Sequence, residues 1–310
     1  MSEQSPQEIR ARHRSNFDEL NRRTAASAHG RHVRFFNFGY APLAGEPARG
    51  PRLPRLFPKP DSAQLLLQVV GDADLSGSCV VEIGCGRGGN LWFLRRYCDV
   101  PSTIGLDLSG AALAFAAHDG DTVGGYLQGD AERLPFATAT TAVVLSIESA
   151  SAYPDIERFF REVARILRPG GLFLYADAVP SELVASYGRV LRGIGFTVLE
   201  ERDITANVVA ARDQRGTREG SALGDDGRDP HGEWVGRPGS RIHRALADGS
   251  SQYRIWRLER AEHANPSERF DEEERATQQR WAQRSAELLT LLTVGDVEVQ
   301  AATQDRPGPP

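Results

Sequence analysis

Residues 80–90 read VVEIGCGRGGN. The stretch begins with an apolar run that carries one acid, Glu82, continues through a glycine-rich turn and reaches Asn90, where a helix can start. Glycine lets the backbone turn tightly and lets a ligand lie against bare peptide groups. The pattern therefore predicts a strand, a tight turn and a helix, which form the first half of a βαβ unit.

The same alternation of short apolar runs and amphipathic segments continues along the chain. Apolar runs predict five strands of a doubly wound parallel sheet, at residues 79–83, 103–107, 126–129, 142–147 and 172–176. The clearest helix covers residues 155–167, where apolar side chains recur with the helical period. Two later strands, at residues 196–202 and 252–258, are expected to pair at the far edge of the sheet.

The flanks predict an arm, a cap and an extension. Residues 1–60 form an N-terminal arm or lid, with a frayed start over 1–15 and a helix over 16–28. Residues 61–260 form the main domain, which includes a substrate-side cap over 203–250 and a mobile loop or lid over 212–240, rich in Gly, Asp and Arg. Residues 261–310 form a helical extension and a disordered tail. The extension starts with a cap at 265–268, docks on its own subunit or in a dimer, and is followed by disorder after Val294. Its thin apolar stripe contains the following residues: Phe270, Trp281, Leu288 and Leu292.

Composition limits the class of protein. With 40% hydrophobic and 25% charged residues, the 310-residue chain matches a soluble globular protein. The net charge of −5 argues against general nucleic-acid binding. Neither a signal peptide nor a long apolar span is visible, so we expect a cytoplasmic protein. Three cysteines make no disulfide framework, and we expect no metal site.

The glycine turn and the acids around it limit the ligand. Gly84, Gly86 and Gly89 match the dinucleotide pattern GxGxxG, and Asp107 ends the next strand, where it can hold a ribose diol. An acid at position 82 would repel a pyrophosphate but favours a positively charged ligand. Asp130 follows the third strand and can hold an adenine amino group. These acids make a nicotinamide-dependent oxidoreductase the weakest of the alternatives.

Five sequence blocks resemble the class I S-adenosylmethionine-dependent methyltransferases. They read VVEIGCGRGG, IGLDLS, QGDAERLPF, VVLSIESASAYPD and REVARILRPGGLFLYAD, and they cover residues 80–178. Weaker flanking matches, which extend to about residue 260, resemble the branch that O-methylates polyketides, lipids and fatty acids. The resemblance implies an α/β, Rossmann-like fold with a seven-stranded, mostly parallel sheet whose last strand is antiparallel.

The resemblance also implies roles for individual residues toward S-adenosylmethionine. Glu82 and the turn would hold the methionine end, Asp107 the ribose, and Asp130 the adenine edge. Ser146 would close the pocket, and Asn37 and Tyr40 would cover the cofactor from the arm. The full expected cofactor set is Tyr40, Glu82, Gly84, Cys85, Gly86, Asp107, Leu108, Asp130, Ala131 and Ser146.

The catalytic residues are less determined. Relatives often carry a histidine in the loop after the fourth strand, but Ser151 stands there in this chain. Glu148 is then a candidate base or a structural acid, His243 a base from the cap or a surface residue, and Tyr153 an orienting or a packing residue. His29 and His32 are weaker candidates.

Arg87 and the aromatic arm each have two interpretations. We expect Arg87 to lie at the surface, with anion binding as the alternative. Phe35, Phe36, Phe38 and Tyr40 either line an apolar acceptor pocket or pack the arm on the core.

These observations predict an enzyme of natural-product or antibiotic biosynthesis that methylates a hydroxyl oxygen of a hydrophobic, polyketide- or lipid-like small molecule. The molecule would arrive free or tethered to a carrier, and the enzyme would be a monomer or a homodimer. Methylation of nitrogen or carbon is one alternative, because the core motifs bind the cofactor and say little about the acceptor. A cyclase or a binding protein that retains S-adenosylmethionine is another.

Overall fold

The protein was analysed as a computed structural model, which describes residues 4–26, 30–118, 124–223, 236–262 and 268–304. The strands are β1 Cys79–Ile83, β2 Ser102–Asp107, β3 Gly124–Gln128, β4 Thr141–Ile147, β5 Leu167–Pro180, β6 Phe196–Asp203 and β7 Ser251–Arg260. The α-helices are α1 Pro6–Ala26, α2 Pro60–Val70, α3 Gly89–Tyr97, α4 Gly110–His118, α5 Ile156–Ile166, α6 Val184–Ile194, α7 Thr205–Leu223, α8 Arg241–Ala247 and α9 Glu272–Gln304.

The strands form one seven-stranded sheet in the order β3-β2-β1-β4-β5-β7-β6. Strands β1 to β5 pair in parallel, whereas β7 runs antiparallel to both β5 and β6. The predicted mostly parallel sheet with an antiparallel last strand is confirmed, as is the pairing of the two late strands. The strand order reverses between β1 and β4, which creates a crevice at the carboxyl ends of these strands.

The sheet is covered on both faces. Alternate side chains of β1 face opposite layers, so that Val80 packs in one apolar core and Val81 in the other. Helices α2 and α3 cover the first core, and α5 and α6 cover the second. Helix α5 confirms the predicted helix at 155–167: Asp155 caps it by accepting a hydrogen bond from the Arg158 amide at 3.0 Å.

Helix α1 corrects the expected N-terminal arm. It begins at Pro6, not after residue 15, because Ser5 and Glu8 form a capping box in which the Ser5 amide donates to the Glu8 carboxylate at 2.8 Å. Asn16 anchors the middle of the helix by donating to the Ala286 carbonyl oxygen of α9 at 2.9 Å. The predicted frayed segment is therefore an ordered helix that packs on α9 and α4.

The region predicted as a cap and mobile loop also differs from expectation. Residues 203–250 include helices α7 and α8, and the expected loop over 212–240 is helical as far as Leu223. Buried Arg212 and its neighbour Arg215 both pair with Asp61 at the start of α2. A contact with so distant a partner leaves no trace in the local sequence pattern. Residues 224–235 lie outside the described part of the chain.

Helix α9 starts later and ends later than expected. Asp271 and Glu274 form its capping box, with the Glu274 amide donating to Asp271 at 2.9 Å, so the helix starts at Glu272 and not at 265–268. It continues to Gln304, which corrects the disorder expected after Val294. Residues 263–267, most of the expected cap, and 305–310 lie outside the described residues, as do the side chains of Leu288 and Leu292.

The glycine turn follows β1 and is held against β2. The amides of Gly84 and Cys85 both donate to the Leu106 carbonyl oxygen, at 2.8 and 3.1 Å. Gly84 has a φ of +73°, and a Cβ atom at this position would lie 2.3 Å from the Cβ of Ser149. Both the backbone conformation and the close approach of the loop after β4 therefore require glycine here.

Gly84→Ala is expected to destabilise the fold more than Gly77→Ala does. Gly77 has a similar φ of +70°, but a Cβ added there would meet no described atom within 4 Å, so its substitution measures the backbone cost alone, about 1 kcal/mol. Gly84→Ala adds a steric clash that costs about 1–3 kcal/mol more. Urea unfolding of both variants checks this difference, and equal losses of unfolding free energy would contradict it.

Candidate active site

A cavity of about 470 Å³ opens at the carboxyl ends of the parallel strands. The glycine turn and the ends of β1, β2, β4 and β5 form its floor. Side chains of α1, residues 34–38, α8 and α9 form its walls. The cavity lies at the point where the strand order reverses, which is the usual ligand position in a doubly wound sheet.

Glu82 lies at the floor and is almost completely buried. One carboxylate oxygen accepts a hydrogen bond from the Asn90 side chain at 2.6 Å, whereas the buried Oε2 has no hydrogen-bond partner within the described residues. Burial raises the pKa of Glu82 to about 8: the hydrogen bond from Asn90 opposes this shift, and the negative charge of Asp107 adds to it. An ionised carboxylate here requires a positively charged ligand beside it.

Asp107 is the last residue of β2, and Asp130 follows β3 at the same edge of the sheet. Asp107 accepts hydrogen bonds from the Gly86 amide at 2.7 Å and the Ser109 amide at 2.8 Å, and burial raises its pKa. Asp130 accepts from the Glu132 amide at 2.9 Å and forms an ion pair with Arg10 of α1 at 3.1 Å. Both aspartates line the cavity, and Arg10 links the cover of the cavity to its floor.

The remaining predicted residues of the turn and its neighbours also line the cavity. They are Gly84, Cys85, Gly86, Leu108 and Ala131. Burial raises the pKa of the Cys85 thiol well above its usual value, and the charges of Asp107 and Glu82 act in the same direction. Cys85 therefore remains a neutral thiol in the pocket wall.

Glu148 also lines the cavity and lies directly after β4. Its Oε1 accepts hydrogen bonds from the Phe38 amide at 2.8 Å and the Tyr253 hydroxyl at 2.7 Å, and Oε2 accepts none from the described residues. Burial raises the pKa of Glu148 to about 8 in spite of these two donors. Its φ of +54° is strained for a residue with a side chain, and such strain concentrates at functional sites.

Asp177, from β5, is a cavity acid to which the sequence analysis gave no role. It is almost completely buried, and it accepts hydrogen bonds from the amides of Ser151 at 3.0 Å and Ala178 at 2.9 Å. Burial raises its pKa to about 7, and its charge raises the pKa of Glu148. Its position at the end of an apolar strand was the sequence signal that could have identified it.

Three expected site residues do not line the cavity. Tyr40 is buried and donates its hydroxyl to Glu46 at 2.8 Å. Ser146 lies behind the wall, with its hydroxyl 2.9 Å from that of Ser149. His243 lies 2.9 Å from an Asp213 carboxylate oxygen. Residues 241, 242 and 245 of α8 line the cavity, so position 243 points away from that face of the helix.

The other candidates divide between the cavity wall and the surface. Tyr153 lines the cavity, and its ring packs edge to face on Phe159 at 4.9 Å. Asn37 and Ser151 also line it. His32 is exposed, and His29 lies outside the described residues. Of the aromatic arm, the residues that line the cavity are Phe35, Phe36 and Phe38.

Arg87 and His13 were misjudged or missed. Arg87 was expected at the surface but is 1% exposed and lines the cavity. His13 lies on α1, inside the segment expected to be frayed. Its Nε2 is 3.0 Å from the Ala282 carbonyl oxygen, so Nε2 carries the proton and the buried Nδ1 is an acceptor. Burial lowers the pKa of His13 to about 4, which keeps the ring neutral.

The residues fit a positively charged nucleoside ligand. The Glu82 Oε2, which no described donor satisfies, suits an ammonium group, and Asp107 and Asp130 lie along the same floor. In the described part of the chain, no three His, Cys, Asp or Glu side chains are placed to hold a metal ion. Likewise, none of the described helices is both long and apolar enough to cross a membrane.

Comparison with known proteins places the chain in a family. A family model described as a methyltransferase domain matches residues 81–175. The chain is 32% identical to a fatty-acid O-methyltransferase of Mycolicibacterium smegmatis over 230 residues, which cover 72% of this chain and 82% of that relative. It is 35% identical to a phthiotriol/phenolphthiotriol dimycocerosates methyltransferase of Mycobacterium tuberculosis over 193 residues, which cover 59% of this chain and 70% of that relative.

Solved structures share the fold. A geranyl diphosphate C-methyltransferase of Streptomyces coelicolor superimposes with a TM-score of 0.59 at 18% identity, over 84% of this chain and all of that one. The cyclase SpnF superimposes with a TM-score of 0.56 at 19% identity, over 78% of this chain and 91% of that one. At such identity the likeness concerns the fold alone. The matching domain and the two relatives establish that this chain belongs to the S-adenosylmethionine-dependent methyltransferases.

Proposed function

We propose that the enzyme transfers a methyl group to a hydroxyl oxygen of a hydrophobic, lipid-like acceptor. The observation that carries the proposal is the buried carboxylate of Glu148, which lines the same aromatic-walled cavity as Glu82. The names of the two relatives, one acting on fatty acids and the other on a dimycocerosate, support an acceptor of this class. Polyketide-like acceptors share the same chemistry of a hydroxyl on an apolar skeleton.

The floor of the cavity would hold the cofactor. Glu82 would pair with the amino group and Asp107 with the ribose, while Asp130 and the Ala131 backbone would receive the adenine edge. When bound, S-adenosylmethionine supplies a methyl group on a positively charged sulfur; transfer breaks the carbon–sulfur bond, leaves its electron pair on sulfur and forms a carbon–oxygen bond. The chain contributes position, charge and exclusion of water.

Glu148 would act as the general base. Its Oε1 is engaged by the Phe38 amide and the Tyr253 hydroxyl, so Oε2 is the oxygen that would take the proton from the acceptor hydroxyl. A pKa near 8 gives the carboxylate enough basicity for this task while a useful fraction remains ionised at neutral pH. Tyr153, which also lines the cavity, would orient the acceptor.

The acceptor would occupy the aromatic part of the cavity. Phe17 of α1, Phe36 and Phe38 of the arm and Trp281 of α9 present apolar rings to it. Ile242 of α8 completes this wall. Side chains from four separate segments enclose the site, which suits a water-sensitive transfer to a long apolar substrate.

Hydroxystearic acid tests the acceptor class because it carries both a hydroxyl and a carboxyl group on one apolar chain. With S-adenosylmethionine, we expect the enzyme to produce the methyl ether, which mass-spectrometric fragments distinguish from the methyl ester. Exclusive ester formation would move the reaction to the carboxyl oxygen. Consumption of an acceptor without S-adenosylhomocysteine release would favour the cyclase alternative.

Glu82→Gln should weaken binding of S-adenosylmethionine by roughly 10- to 100-fold, because the neutral amide cannot pair with the amino group. The apoprotein should not lose stability. The pKa of Glu82 is about 8 in the folded protein, above its unfolded value of 4.5. Between these two values the unfolded chain loses the proton more readily than the folded protein does, so the free energy of unfolding falls as the pH rises. Glutamine does not ionise and removes this loss. Calorimetric titration and thermal unfolding measure the two effects. Exposed Asp99→Asn is the control, and unchanged affinity in Glu82→Gln would refute the assignment.

The pH profile tests Glu148. The base is the carboxylate form, so kcat/KM for a hydroxyl acceptor should rise with pH and level off above about 8. Glu148→Gln should lower kcat by about 10²-fold or more and abolish the rise. Tyr253→Phe removes a donor that stabilises the carboxylate, so the rise should move to higher pH.

Exposed Glu182→Gln serves as the control for this profile and should leave it unchanged. A wild-type profile that is flat between about pH 6 and 9, where the base should titrate, would remove Glu148 from the mechanism.

A further inference from the structure

The guanidinium of Arg87 is buried in the cavity wall without a hydrogen-bonding partner among the described residues. The residue is 1% exposed, and its Nε, Nη1 and Nη2 atoms all lack a hydrogen-bond acceptor there. Buried arginines normally pair with a carboxylate or with carbonyl oxygens, since an unpaired buried charge is costly. Glu82 and Asp107, which line the same cavity, have their own donors in Asn90 and Gly86.

Two aromatic rings pack against the guanidinium of Arg87. The centre of the Phe115 ring lies 3.3 Å from the guanidinium carbon and the centre of the Phe36 ring lies 5.8 Å from it. Aromatic rings stabilise the cation through its planar faces. The N–H donors point outward in the guanidinium plane, where they form the fork that matches a carboxylate.

Two arginines, Arg87 and Arg34, line the cavity. Burial, together with the neighbouring charge of Arg34, lowers the pKa of Arg87 to about 10, so the group is still a cation at neutral pH. Arg34 itself lies over the ring of Trp92, 5.0 Å from its centre. Two arginines that lie against aromatic rings thus line the same cavity as the acids of its floor.

We infer that Arg87 binds a carboxylate of a ligand in this cavity. A carboxylate fits better than a phosphate because Glu82, Asp107, Glu148 and Asp177 line the same space and would repel a second negative charge. Two ligands could bring it: the amino-acid end of the cofactor, or the head of a fatty-acid acceptor. The second source rests on the proposed function, whereas the first does not.

To test the cofactor as the source of the carboxylate, calorimetry compares the binding of two thioether nucleosides. S-adenosylhomocysteine carries the amino-acid carboxylate, and methylthioadenosine lacks it. If the cofactor is the source, Arg87→Gln weakens S-adenosylhomocysteine by roughly 10- to 100-fold and leaves methylthioadenosine within about twofold. Retained binding of methylthioadenosine shows that the variant is folded. Arg87→Lys keeps the charge without the fork and should recover part of the loss.

To test the acceptor as the source of the carboxylate, the affinities of stearate and stearyl alcohol are compared. Each is titrated into enzyme saturated with S-adenosylhomocysteine. If the acceptor is the source, Arg87→Gln weakens stearate by roughly 10- to 100-fold and leaves the alcohol within about twofold. Arg96→Gln, on the exposed side of α3, is the matched control for both comparisons.

If Arg87→Gln and Arg96→Gln bind S-adenosylhomocysteine with equal affinity, and also bind stearate with equal affinity, the proposed carboxylate site is wrong. That result leaves the proposed function intact if the wild-type enzyme still methylates hydroxystearic acid. The opposite combination is also possible. If the wild-type enzyme methylates no lipid but Arg87→Gln selectively loses affinity for S-adenosylhomocysteine, the proposed lipid acceptor is wrong and the carboxylate site stands.

Discussion

Burial of like charges at one edge of the sheet is the constraint on which this active site depends. Parallel strands end at the same edge, so acids at or near the ends of β1, β2, β4 and β5 meet around one cavity, and burial raises the pKa of each. Burial therefore makes ionisation of these groups less favourable than it is in water. A positively charged ligand opposes that effect, so the affinity for the methyl donor and the ionisation of the cavity are coupled.

The acids of the cavity differ in which groups donate hydrogen bonds to them. Glu148 and Asp177 receive donors from the protein itself, through the Phe38 amide, the Tyr253 hydroxyl and backbone amides of the loop after β4 and of β5. Glu82 keeps one oxygen unpaired within the described part of the chain. The donors around Glu148 and Asp177 are therefore preorganised by the fold, whereas Glu82 keeps an oxygen that a bound ligand can satisfy.

Local sequence patterns predicted the strands of the sheet but not the full extent of helix α1, which forms part of the cavity wall. Strand β1 matches its predicted bounds because consecutive apolar residues buried on both faces leave a clear signal. The second half of helix α1 was predicted, but its start before residue 16 was missed, because the side that the helix buries is largely polar and includes His13, Asn16, Asn21 and Thr24, so no apolar stripe marks it.

The site was predictable where chemistry follows directly from backbone geometry. Glu82 and Asp107 lie near the ends of adjacent strands, and their convergence follows from the topology. Arg87 and His243 were misplaced for a different reason: their environments are made by distant segments. Arg87 is buried by Phe36 and Phe115. His243 is held away from the cavity by its contact with Asp213 and by the orientation of α8. No local window of sequence contains that information.

The seam between α1 and α9 joins residues near both ends of the chain. His13 and Ala282, which meet there, are separated by 269 positions, and the apolar contact is limited to small groups such as Ile9 with Ala282 and Ala286. Contacts between such distant positions carry a high entropic cost and form late in folding. Polar contacts and small apolar groups hold the seam, and because neither helix pairs with a strand, separating the two helices would leave the strand pairing of the sheet unchanged.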